Sequence, residues 1–190
     1  MQNVEIKLDE NTLERLAALN HQLYCEDMTA KGYRYGPTRD DDLRTRPLLT
    51  DYTNLPEEVK KNNREAVQSI PEKLRAVGCT LSSTRGEEYR LTPADIEILA
   101  KMEHRRYLEN AVRGGWRYAS QYDEDNKYNP TLVPWDTLTP VEARIEYPQI
   151  FSHLGPGPLP EKEREKDREP VRNYVNLLHR ASLRIVKKHD

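Results

Sequence analysis

The sequence lacks several things that would classify a protein at once. No run approaches about 20 consecutive apolar residues, so a membrane-spanning helix is not expected. The start, Met1-Gln-Asn-Val-Glu-Ile-Lys-Leu-Asp-Glu10, has no apolar core, so no secretory signal is expected. Cysteine is nearly absent: Cys25 and Cys79 form no CxxC or CxxxC pair. A disulfide scaffold or structural zinc site is unsupported, and a reducing cytoplasm fits best. Neither charge sign dominates, because 30 Lys+Arg face 32 Asp+Glu for a net charge of −2. That argues against a globally basic nucleic-acid binder. GxxxxGK[ST], HExxH and GxSxG are all missing. Gly155-Pro-Gly157 is no dinucleotide loop, since prolines stand where a helix should open.

What is present is charge, tyrosine and an internal repeat. One third of the 190 residues are charged and mean hydropathy is −0.94. The aromatics are 11 Tyr and 2 Trp against 1 Phe. At an offset of 83, residues 13–55 align without a gap on residues 96–138, with 14 identities over 43 positions. Ordinary composition predicts roughly two or three by chance. Beyond Leu55 the offset becomes 104: Leu55-Pro-Glu57 matches Leu159-Pro-Glu161, and Arg64-Glu65 matches Arg168-Glu169. The difference is a 21-residue insertion over about residues 139–159, ending in the turn-rich Leu154-Gly-Pro-Gly-Pro-Leu159 and read as a surface excursion.

Each repeat opens with an amphipathic helix. The first begins after Asn11 and ends near Lys31, with Gly32 beyond it; the second begins at the cap Thr92 and runs to Arg113. Tyrosine- and proline-rich segments suit short strands and loops. Closing helices are expected at about 56–77 and 160–188, kinked or split by Pro71 and Pro170. The expectation is a mostly helical α+β fold over residues 1–190, with two pseudo-two-fold-related repeats. Repeat one covers about 11–78, a linker about 79–91, and repeat two about 92–188.

The sharpest chemical candidate lies on the helix opening repeat two. Ile96, Leu99, Ala100, Tyr107 and Ala111 form an apolar stripe, with Glu103 near its centre and His104 at its edge. A carboxylate there needs a partner. Arg168 is expected to supply it, with Lys127 as the alternative; the pair reads either as a polar pocket at the inter-repeat seam or as a structural clamp. The matched closing helices carry Asn63-Arg64 and Asp167-Arg168. Trp116 and Trp135, matched by Tyr33 and Tyr52, suit either ligand stacking or core packing. Asp40–Asp42 and Asp123–Asn126 fail the EF-hand pattern and read as acidic turns, so no metal or cofactor is expected.

These motifs resemble a tandem of ryanodine receptor repeats, or RyR domains. The first copy offers His21-x-x-Tyr24, Gly32-Tyr-Arg-Tyr-Gly36-Pro, Pro47-Leu-Leu-Thr-Asp-Tyr52 and Asn63-Arg64; the second offers Glu103-His104-x-x-Tyr107, Gly115-Trp-Arg-Tyr118, Lys127-x-Asn129-Pro130, Trp135 and Asp167-Arg168. The resemblance implies a compact α+β tandem and, from stand-alone bacterial and viral domains, a prokaryotic source. It also implies adenine-nucleotide-like binding at the seam, with stacking by Tyr107 and Tyr24 and polar contacts from Asn129, Asp167 and Arg168. The leading expectation is a cytoplasmic, non-enzymatic ligand-binding module with no nucleic-acid or membrane partner. A protein-interaction scaffold is the second reading, and a hydrolase using Glu103 and His104 is the third.

Overall fold

The computed structural model describes residue 6, residues 8–84 and residues 87–188. In chain order these form α1 (Glu10–Ala30), β1 (Arg34–Tyr35), β2 (Thr45–Arg46), α2 (Glu57–Gln68), α3 (Ile70–Ala76), β3 (Cys79–Ser82), α4 (Pro93–Arg113), α5 (Pro140–Glu146), α6 (Glu161–Arg172), α7 (Tyr174–Arg180) and β4 (Arg184–Lys187). The fold is α+β and mostly helical. No helix among the described residues is long and apolar enough to cross a membrane.

The chain divides into two compact units. Unit one takes the residues up to Arg90 and again those from Asn173; unit two is Leu91–Arg172.

In unit one, α1 starts at Glu10, two residues before the start expected after Asn11. Asp9 is the cap, accepting from the Thr12 amide at 2.7 Å, and its carboxylate complements the helix dipole. α1 packs on α2 and α7. The core includes Leu16, Val67, Ile70, Leu74, Leu81 and Ile185, each at most 1% exposed. Residues 79–82, expected within a linker, instead form β3. β3 pairs antiparallel with β4 from Cys79↔Lys187 to Ser82↔Arg184. The closing helix expected to reach residue 188 therefore stops at Arg180, and the last residues return to unit one as a strand.

The split expected at a proline is seen in the first closing helix. α3 restarts at Ile70 with Pro71 in its first turn. Pro170, by contrast, stays inside α6, and the break comes at Asn173, the residue 104 positions after Ser69. There is no proline at 175 to force it. Tertiary burial accounts for the break, since Tyr174, Leu177 and Leu178 turn inward as Ile70, Lys73 and Leu74 do.

In unit two, α4 opens with the expected Thr92 cap, completed by Asp95 into a reciprocal capping box. The 139–159 stretch is not a surface excursion. α5 lies within it, and Tyr147 and Ile150 join Leu108 and Leu132 in one buried cluster. Leu159 is 2% exposed and its amide donates to the Pro134 carbonyl at 2.8 Å. The turn signals at its end were real, but apolar positions 147, 150 and 159 draw the stretch into the core.

Local geometry recurs between the units residue by residue. Gly32 and Gly115 have φ of 83° and 87°; Arg44 and Lys127 have φ of 52° and 54°. Arg34 N–H donates to Arg44 O at 2.9 Å, and Arg117 N–H to Lys127 O at 2.9 Å. Asp40 pairs with Thr45 as Asp123 pairs with Tyr128. The two positive-φ glycines end their helices in a conformation that costs a residue with a Cβ about 1 kcal/mol or more.

Candidate functional site

The candidate residues other than Tyr24 fall in unit two, on α4, on the 116–135 segment and on α6. His104 is 1% exposed, so it lies deeper than the helical-wheel reading placed it. Its Nε2 lies 2.8 Å from the Val133 carbonyl oxygen, and its Nδ1 lies 3.0 Å from Asp167 Oδ2. A carbonyl only accepts, so Nε2 carries a proton and donates it to Val133. One further proton must lie between Nδ1 and the carboxylate. The pair is thus imidazolium with carboxylate, or imidazole with carboxylic acid; both have the same net charge. Burial pushes the Asp167 carboxyl above the ordinary range, opposed by its bond to His104, while the Glu103 charge nearby adds to the rise.

Tyr107 stands one helical turn on, its ring centroid 6.0 Å from that of His104. Its hydroxyl belongs to a closed ring of hydrogen bonds. Asn129 Nδ2 donates to Tyr107 Oη at 2.8 Å, and Thr131 Oγ1 donates to Asn129 Oδ1 at 2.8 Å. The Thr131 proton being used, Tyr107 O–H donates to Thr131 Oγ1 at 3.2 Å. The Asn129 oxygen also accepts from the Thr131 amide at 2.9 Å, leaving one amide proton of Asn129 for another acceptor. Burial raises the Tyr107 hydroxyl pKa above its usual value. The half-buried ring is therefore held in one orientation by polar groups at its tip and His104 at its side.

The expected Glu103–Arg168 pair does not form. Glu103 is half-buried and takes Arg106, one turn along the same helix, with guanidinium–carboxylate distances of 2.5–3.2 Å. Arg168 instead bonds Glu97 at 2.7 and 3.2 Å and also pairs with Glu161, with Glu165 at 3.5 Å. These carboxylates raise its pKa further. Lys127, the alternative partner, donates to the Gly114 carbonyl at 2.8 Å and so closes the turn after α4. The reason is reach: an i,i+3 partner on the same helix and a carboxylate facing α6 each offer a shorter path than pairing across the stripe.

Trp135 is 2% exposed, covered by the Arg164 and Arg168 guanidinium groups at 5.2 and 5.7 Å from its ring and by His104 at 5.7 Å. It is core, not a stacking surface. Trp116 stacks on Tyr122 at 5.6 Å. Asp123 accepts from the Asn126 amide at 3.0 Å, as an acidic turn does, and no cluster of metal-ligand type occurs among the described residues.

Unit one carries a neutral version of the same arrangement. His21 Nε2 donates to the Thr50 carbonyl at 2.8 Å. Asn63 stands where Asp167 does, but its oxygen accepts from Asn20 at 3.0 Å. Tyr24, matched to Tyr107, is 37% exposed. Sequence reasoning missed Val133 O, Thr131 and Arg106; a backbone acceptor carries no side-chain signal.

The RyR domain family matches residues 1–83 of the chain. Those residues hold α1, the β1–β2 pair, α2, α3 and β3, together with the His21–Thr50 bond. The likeness to the RyR domain is thus shown for residues 1–83.

Proposed function

We propose that this chain is a non-enzymatic ligand-binding module made of two RyR units, the second being Leu91–Arg172, and that it recognises a nucleotide-like molecule. The orientation lock on Tyr107 carries the reading. A half-buried aromatic ring held at its tip by Asn129 and Thr131, beside a buried polar pair, is preorganised to stack a flat ligand. The remaining Asn129 amide proton supports an acceptor atom on the ligand edge. Recurrence of the His–carbonyl bond and of the left-handed residues at an offset of 83 supports the second unit as another copy. The resemblance supports a prokaryotic, cytoplasmic setting.

Two observations favour binding over hydrolysis. Both His104 nitrogens are engaged, and Glu103 is committed to Arg106, so neither is poised to take a proton from water. Titration calorimetry with ATP, ADP and AMP tests the reading. Saturable binding should weaken in Tyr107→Ala by about 1–3 kcal/mol, the contribution of one base–aromatic stack. Absence of binding at millimolar nucleotide overturns it.

The interaction-module reading draws on one feature: Val141 and Ile145, one turn apart on α5, are 68% and 75% exposed.

A further inference from the structure

Unit one has a groove lined by residues most of whose matched positions in unit two carry different side chains. It runs between the N-terminal half of α1 and the helical turn Tyr52–Asn54, with a volume of about 570 Å³. Asn11, Glu14, Arg15 and Ala18 supply one wall, Tyr52 and Thr53 another, and Lys60 of α2 closes the end.

The two cations here lack carboxylate partners. Lys60 Nζ donates to the Thr53 carbonyl at 2.9 Å and lies 5.8 Å from the centroid of the Tyr52 ring. Neither Lys60 nor Arg15 has an ion pair among the described residues, although the Lys60 charge helps lower the Glu57 carboxyl pKa. The nearest acids are occupied, since Glu14 and Glu57 both pair with Arg64.

Unit two shows what fills the equivalent place. Trp135 stands for Tyr52 and Arg164 for Lys60. Arg164 lies over the Trp135 ring and donates to two carbonyl oxygens, Leu159 at 2.9 Å and Trp135 at 2.6 Å. Leu159 ends the stretch that unit one lacks. Ala18 is replaced by Lys101, whose ammonium bonds Asp136 at 2.7 Å and Glu146, on the inserted α5, at 3.3 Å. Arg15 is replaced by Ile98. In both units, then, the cation over the aromatic ring donates to carbonyl oxygen of the chain, and the units differ in that a lysine paired with two carboxylates replaces Ala18 in unit two. In unit one that lysine is an alanine, the insertion is missing, and an arginine is added.

We propose that the groove of unit one binds a small aromatic anion, a phosphate or carboxylate carried on a flat ring. The ring packs against Tyr52 and Ala18, and the anionic oxygens accept from Arg15 and Lys60. The volume suits a small ligand, and charge-assisted hydrogen bonds from two cations supply the anchoring. This site is separate from Tyr107 and does not depend on the nucleotide reading.

The test is titration of the 15N-labelled full chain with phenyl phosphate and benzoate to about 10 mM, above the millimolar affinity expected for so small a ligand. Inorganic phosphate and phenol serve as half-ligand controls. The proposal expects saturable shifts at residues 11–18, 52–53 and 60 with at least one ring-bearing anion, stronger than with either half. Arg15→Gln and Lys60→Gln, both surface changes, should each weaken binding about tenfold, in line with one charge-assisted bond. Lys166→Gln, which removes an equal charge from an exposed pair elsewhere, should leave it unchanged. No saturable shift, equal shifts with inorganic phosphate alone, or equal weakening by Lys166→Gln overturns the proposal.

Discussion

His104 and Asp167 share one proton across 3.0 Å, and the Val133 carbonyl dictates where the ring's other proton lies. The corresponding unit-one residues, His21 and Asn63, keep the carbonyl bond but not the shared proton. A proton-sharing carboxyl in one unit thus stands where an amide stands in the other.

Asp167→Asn should make stability less dependent on pH. Burial raises the folded pKa of Asp167 above its unfolded value, so its protonated form is favoured by folding. Its contribution is fully present below the unfolded pKa and is lost as pH rises through the folded one. The stability of Asp167→Asn relative to wild type should therefore increase from about pH 4 upward and then level off. Urea unfolding across this range measures it, and a relative stability that falls with pH contradicts the assignment. Asp167→Ala, which strands His104, should cost about 3 kcal/mol, as broken buried pairs do.

Glu103 and Arg168 should behave independently. Glu103→Ala breaks an i,i+3 pair and should cost no more than about 1 kcal/mol. Arg168→Ala removes the link from α6 to Glu97 on α4 and uncovers Trp135, so it should cost about 2 kcal/mol, mostly through lost packing. In a double-mutant cycle the two effects should add within about 0.5 kcal/mol. Coupling above 1 kcal/mol would show that the pair forms in solution.

Removal of residues 139–159 should destroy cooperative unfolding of unit two. Tyr147→Ala alone should cost about 3–5 kcal/mol, the usual loss for a buried aromatic. Circular dichroism during thermal unfolding distinguishes this from a dispensable loop, whose removal would leave the transition in place.

The pair Glu97–Arg168 should loosen on acidification. The Arg168 bond holds the Glu97 carboxyl below its ordinary range. Its stabilisation is present above the unfolded pKa of glutamate and disappears as pH falls through the lowered folded value. Glu97→Gln should therefore narrow the stability gap between neutral and strongly acidic solution, read by urea unfolding at both.

Much of the architecture follows from local sequence. Thr92, Pro93 and Asp95 open α4 because a capping hydroxyl, a residue without an amide proton and an early acid all satisfy a helix start. Gly32 and Gly115 end the two long helices because only glycine enters the left-handed region freely. The offset of 83 pairs His21 with His104 and Thr50 with Val133, and in each unit the ring Nε2 bonds that carbonyl oxygen. Tertiary structure alone decided the rest. Glu103 chose Arg106 and Arg168 chose Glu97, because ion pairing depends on reach and solvent access rather than on the helical wheel. The 139–159 stretch became core because Tyr147, Ile150 and Leu159 found buried partners distant in sequence. The break at Asn173 and the return of β4 to β3 likewise rest on burial of Tyr174, Leu177 and Ile185, a requirement no local motif expresses.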